Sequence, residues 1–183
     1  MAVAEAQRDV RYAHLGGGSG MLVSGLLWLG SGAVALALGP KEAMVALTLG
    51  GVLIFPGALL LCRLLGRSGL LADGNPFGDL ARESALMMVL CIPLAFAAAA
   101  VRIEWYFPAM LVVVGAHYLP FATLYGMRLY YALGLAMAGA GFALAFGGAS
   151  FASGAFVGGA LELLFAPLAF VAARHEPQAA AAG

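Results

Sequence analysis

Glu162, His117 and Trp28 each stand near the middle of a different long apolar run, and together they supply a carboxyl, an imidazole and an indole. A carboxyl and an imidazole can exchange protons near neutral pH when their surroundings tune them, so such groups held away from water are the first candidates for chemistry. At the centre of a membrane helix a charged residue costs about 2.5–3.5 kcal/mol on insertion scales, which something in the protein has to offset. Four-residue steps back from Glu162 reach Gly158, Gly154 and Ser150, so the carboxyl shares a helical stripe with small residues that let another helix approach closely. That stripe predicts a Glu162 pointing into protein. The structural alternative is a neutral carboxyl hydrogen-bonded to a backbone carbonyl or to Tyr118.

His117 belongs to the segment Gly115-Ala116-His117-Tyr118-Leu119-Pro120-Phe121. Pro120 has no N–H to donate, which frees a carbonyl near Ala116 and predicts a kink beside the histidine. Irregular backbone at membrane depth is tolerated only against protein or a wet cavity. Trp28 has Ser24, Gly25, Ser31 and Gly32 as helical neighbours, a small and faintly polar face that again suggests packing against protein. Nearer a span end, Tyr125, Arg128, Tyr130 and Tyr131, with Arg63, form a second polar group. It suits either an anionic ligand or an interfacial anchor at the lipid phosphates. The candidate ligand-binding residues are therefore His117, Glu162, Tyr118, Trp28, Arg128 and Tyr131, with no catalytic or metal-ligating residue assigned.

Several chemistries find no support. One histidine and one glutamate fall short of the three or four ligands typical of zinc. Met87, Met88, Cys91 and Met137 could offer soft sulfur to copper, but methionine is also an ordinary filler of apolar packing, so neither metal nor cofactor is expected. Metalloprotease, nucleophile-elbow and phosphate-loop patterns do not occur. Gly16-Gly17-Gly18-Ser19-Gly20 follows no strand, which removes a dinucleotide reading and leaves a flexible lead-in to the first span. Cys62 and Cys91 lie inside apolar runs and read as packing residues, not a disulfide. Nine basic residues balance nine acidic ones, which gives no basic surface for nucleic acid.

The elements that must hold these side chains follow from composition. Of 183 residues, 63% are hydrophobic and 10% charged, against about 25% charged in a soluble domain. A bilayer core about 30 Å thick takes roughly 20 apolar helical residues. Six such stretches predict an all-α membrane protein, a bundle of six transmembrane helices in a single domain, with spans near 20–38, 43–64, 84–100, 105–126, 128–146 and 151–173 and short tails at 1–19 and 174–183. Arg8 and Arg11 before a run ending in Ala35-Leu36-Ala37 have the outline of a signal peptide, but that run is long enough to span. Asn75 and Pro76 read as a helix N-cap and first helical residue, starting the third helix at the interface.

With six spans, Arg8, Arg11, Arg63, Arg67, Arg82, Arg128 and Arg174 fall on one side and only Lys41 and Arg102 on the other. This bias predicts that both termini are cytoplasmic and that Trp105 and Tyr106 belong to an outer aromatic belt. Residues 93–99 and 167–173 agree at six of seven positions. An offset of 74 residues would divide the chain into a 3+3 inverted repeat, a common transporter plan, although such residues are frequent in any apolar helix.

The stretch from Tyr106 to Arg128, YFPAMLVVVGAHYLPFATLYGMR, together with the glycine-rich opening from Gly17 to Trp28, resembles a family of small, uncharacterised bacterial multispanning membrane proteins. It is a domain of unknown function with a GAHYLPF-type signature. The resemblance implies a polytopic fold in a bacterial inner membrane and supplies no substrate. His117 and Tyr118 fall within the signature, and Glu162 lies outside it.

The leading functional expectation is binding or transport of a small molecule or ion across the membrane, with a midplane site lined by His117 and Glu162. One alternative is a structural or regulatory subunit that packs on another chain through Gly154 and Gly158. Another is an intramembrane enzyme using His117 and Glu162 as base and acid on a lipid, although the chain leans away from an enzyme. The expected partners are the lipid bilayer, a small-molecule or proton ligand and a second copy of the chain. What separates these readings is whether His117 and Glu162 share one polar site.

Overall fold

In the computed structural model, which describes residues 1–174, every regular element is helical. The expected tail at 174–183 lies outside the described residues apart from Arg174. A short helix, α1 (Val3–Ala13), precedes six longer ones. These are α2 (Leu15–Ala37), α3 (Pro40–Leu64), α4 (Phe77–Val101), α5 (Ile103–Tyr125), α6 (Leu129–Phe146) and α7 (Phe151–Ala173), each long and apolar enough to cross a membrane. The shortest, with 18 residues, is about 27 Å long, close to the thickness of a hydrocarbon core.

The expected spans are all present, with shifted ends where local chemistry extends a helix. α4 starts at Phe77, well before Ser84 and one residue after the Pro76 expected to begin it: Pro76 is its N-cap, and Asn75, just before, accepts the Phe77 N–H on Oδ1 at 3.0 Å. The added turns carry Asp79, Arg82 and Glu83, and Arg82 pairs with Asp79 at 2.8 Å. Such charges dilute the apolar signal and belong to the membrane interface. Residues 1–19 are not a simple tail. α1 buries Ala6, Asp9, Val10 and Ala13, the spacing of one helical face. The glycine-rich lead-in is an ordered turn, with Leu15, Gly16 and Gly17 at φ of 54°, 63° and 82°. α5 runs continuously through Pro120.

Two tight pairs, α2 with α7 and α5 with α6, form the centre of the bundle, while α3 flanks α2 and α4 flanks α5. α5 is the most enclosed, with half of its span buried against 11% in α3 and α4, which face outward. Close approach is made possible by glycine. A Cβ on Gly115 of α5 would lie 2.6 Å from the Gly134 carbonyl of α6. A Cβ on Gly158 of α7 would lie 2.6 Å from the Trp28 ring, and one on Gly154 would lie 2.5 Å from Phe107. The small-residue stripe of α7 is thus filled from within this chain. Tyr106, expected in an aromatic belt, is fully buried: its hydroxyl meets Thr48 Oγ1 at 2.7 Å and donates to the Met44 carbonyl at 3.1 Å.

Candidate functional site

α7 has 23 residues and Glu162 is the twelfth, with eleven on either side, which puts the carboxyl about 16 Å from each helix end. The side chain is fully buried, as the small-residue stripe predicted. Tyr118 of α5 donates its hydroxyl to Oε1 at 2.7 Å, and the buried Ser24 of α2 lies beside the carboxyl. Oε2 has no hydrogen-bond partner among the described residues, and no cation pairs with the group. One turn along, Trp28 fills the groove over Gly158 and packs against Phe107, ring centres 5.9 Å apart. Helices α2, α5 and α7 therefore converge on a carboxyl with one bound oxygen and one unpartnered oxygen, enclosed in apolar surroundings where an unmade hydrogen bond costs about 1–3 kcal/mol.

From Glu162 toward α1 runs a column of phenol rings. Tyr118 stacks on Tyr130 (ring centres 5.9 Å) and Tyr130 on Tyr125 (4.9 Å), with Phe121 packed edge-on against Tyr118 and Tyr130. All three tyrosines are buried. The hydroxyls of Tyr125 and Tyr130 neighbour one another, and Tyr130 donates to the Gly16 carbonyl at 2.6 Å. Beside them Cys62 Sγ meets Ser19 Oγ at 3.2 Å. The column therefore ends at the turn joining α1 to α2.

His117 occupies a separate station. Its Nδ1 lies 2.9 Å from Ser84 Oγ and 3.1 Å from the Ser84 carbonyl on α4, and the Ser84 hydroxyl donates to the His117 carbonyl at 3.3 Å. The hydrogen bonds of His117 go to α4, whereas Glu162 is held from α5. Tyr118 neighbours both groups: its ring lies 6.0 Å from the imidazole, centre to centre, and its hydroxyl bonds Glu162.

Of the six candidate residues, the structure brings Glu162 and Tyr118 into contact, places Trp28 one turn along α7 over Gly158, and puts His117 beside Tyr118 with its own hydrogen bonds on α4. Arg128 and Tyr131 do not join them: Arg128 is exposed and Tyr131 is 48% exposed on α6. The polar group expected near the span end is divided. Tyr125 and Tyr130 turn into the core, while Arg128 and Tyr131 face out. Sequence reasoning missed the column, although Tyr118, Phe121 and Tyr125 sit at i, i+3 and i+7, the spacing of one helix face. Ser84, the partner of His117, carried no sequence signal beyond its place at a span end.

Neither a curated protein nor a solved structure matches the chain. One family model does match, over residues 3–172, from the first residue of α1 to the penultimate residue of α7. The match takes in all seven helices, including the tyrosine column and Glu162, and so the chain belongs to DUF7010, a family of unknown function.

Proposed function

We propose that this membrane protein binds a proton or another small cation at Glu162 and carries it across the bilayer. The observation behind this reading is the fully buried mid-span carboxyl with Tyr118 on one oxygen and no protein partner on the other. A packing role alone would not favour a carboxyl here, since glutamine or leucine would fill similar volume without the cost of a desolvated acid. A site that alternately takes up and releases a positive charge does favour it. Tyr118 holds the carboxyl in one orientation, and Ser24 supplies a second oxygen within reach.

The reading of a subunit that packs through Gly154 and Gly158 loses support, because Phe107, Trp28 and Leu111 already fill those faces. The pairing of His117 with Glu162 as base and acid on one lipid is also weakened, since their hydrogen bonds run to different helices. The seven arginines near the α1 end support a cytoplasmic placement of that end.

The test is proton flux in liposomes carrying the purified protein and an internal pH-sensitive dye, driven by a potassium diffusion potential. The expected result is protein-dependent flux that falls to the protein-free level in Glu162→Gln. Wild-type flux no greater than that of empty liposomes, or a Glu162→Gln variant as active as the wild type, contradicts the reading.

A further inference from the structure

We propose that Glu162 is reached from the α1 end along Tyr118, Tyr130 and Tyr125, and that α1, clamped to the 65–76 loop, is the gate on that route. The proposal rests on the reading of Glu162 as a cation site and adds the direction of access and its control.

The two directions away from Glu162 differ in chemistry. Toward α1 the buried groups are hydroxyls and a thiol: Tyr118, Tyr130, Tyr125, Ser19 and Cys62. On the far side the buried hydroxyls, Ser31 on the Ala43 carbonyl and Tyr106 on Thr48, are already paired with near neighbours, whereas the stacked phenols that begin at the carboxyl run toward α1. The column is closed by the turn at Gly16 and Gly17, where Tyr130 bonds the Gly16 carbonyl and a Cβ on Gly17 would collide with the Tyr130 hydroxyl. That turn holds three consecutive residues at positive φ, and one of them, Leu15 at 54°, is not glycine. A branched side chain in the left-handed region stores strain that its surroundings must oppose.

What opposes it is a set of polar contacts made by α1. Asp9 Oδ2 accepts from the Ala72 N–H at 2.9 Å and from Asn75 Nδ2 at 2.7 Å, and Asn75 Nδ2 also donates to the Ala6 carbonyl at 3.1 Å. Arg67 lies 4.0 Å over the Tyr12 ring. On the other flank, Gln7 donates to the Thr123 carbonyl at 2.7 Å and Arg11 to the Tyr125 carbonyl at 2.6 Å. These last carbonyls lie in the final turn of α5, at the foot of the column. α1 thus holds the loop and the end of α5 together over a strained turn. Beside the buried apolar face of Ala6, Val10 and Ala13, the polar contacts of α1 are mostly hydrogen bonds to backbone or to Asn75, which can be exchanged for water at small net cost. A gate requires bonds of that kind.

Cys62 provides a native reporter, since it is fully buried between Ser19, Gly69 of the loop and Tyr125. In full-length protein in liposomes, with Cys91→Ala removing the other thiol, the rate of Cys62 modification by a small charged methanethiosulfonate reads opening of the α1 end. Wild type is expected to react slowly. Asn75→Ala and Asp9→Ala are expected to react about tenfold faster or more, the change that loss of one or two hydrogen bonds produces. Thr48→Val, at the opposite end, controls for general destabilisation and is expected to leave the rate unchanged. Unchanged labelling in Asn75→Ala and Asp9→Ala, or equal acceleration by Thr48→Val, overturns the gate. Flux separates the two proposals: Glu162→Gln abolishes flux yet leaves the labelling response to Asn75→Ala intact. Loss of the labelling response with flux still dependent on Glu162 removes the gate and leaves the cation site.

Discussion

The core on the α1 side of Glu162 and the core on the far side are built from opposite materials. On the far side, Trp28, Phe107, Leu111 and Met137 close around glycines of α5, α6 and α7, and the polar groups that occur, Ser31 on the Ala43 carbonyl and Tyr106 on Thr48, are fixed to near neighbours. On the α1 side, stacked phenols carry their hydroxyls inward to a glycine turn. Apolar surfaces packed to interior density have few alternative arrangements, whereas hydroxyls that can trade one oxygen for another have several. The difference indicates which half is the fixed scaffold and which half can open.

The strongest way to break this comparison is to overfill the scaffold. Gly158→Leu drives a side chain into the Trp28 ring and is expected to cost about 3 kcal/mol, the upper part of the overpacking range. Thermal unfolding in detergent checks this, and an unchanged melting temperature contradicts a rigid far half. Next in size is Tyr118→Phe, which removes the donor to Oε1 of a buried carboxyl and is expected to cost about 1–3 kcal/mol. Flux should fall further than stability does, because the carboxyl loses its orientation. A smaller effect is expected from Thr48→Val, about 0.5–1.5 kcal/mol for one lost hydrogen bond, with flux unaltered; a change in flux would place the moving part at the wrong end.

The smallest expected effect is a pH dependence of α1 docking. His14 ends α1, and burial holds its imidazole below the ordinary value, opposed by the carboxylate of Asp9. A released His14 takes up a proton near its ordinary value of about 6.5, while the docked one resists until lower pH. Below about pH 6.5 the released state therefore binds more protons, so docking is full above that pH and weakens as pH falls through it. Hydrogen exchange of the α1 amides, corrected for intrinsic rates, should show protection decreasing with acidification in wild type and a flatter profile in His14→Gln. Protection that increases on acidification contradicts the assignment.

Much of this architecture was legible in the sequence, for reasons that also explain the misses. Spans are written in length and hydropathy, and α7 was recovered at both ends because Ser150 and Arg174 bound it sharply. The start of α4 was legible to within one residue from Asn75 and Pro76, whereas the apolar stretch at 84–100 marks only part of the helix because Asp79, Arg82 and Glu83 interrupt the pattern. α1 escaped because eleven mixed residues make no membrane helix, and their order comes from contacts with Asn75, Thr123 and Tyr125 far along the chain. The inward aim of Glu162 was legible from Gly158 and Gly154, and Tyr118 was one of the partners anticipated for it. In the sequence Tyr130 groups with Arg128, two residues away, as part of either an anion site or an interfacial anchor. A tight bend lets Arg128 face out and Tyr130 face in, and only tertiary packing decides that.

The central claim is that Glu162 exchanges a proton while buried. Infrared difference spectroscopy of the reconstituted protein across a pH titration tests it most directly. A protonated-carboxyl band that appears and disappears with pH, and is absent in Glu162→Gln, is the predicted result. A spectrum in which every titrating carboxyl band survives Glu162→Gln contradicts it.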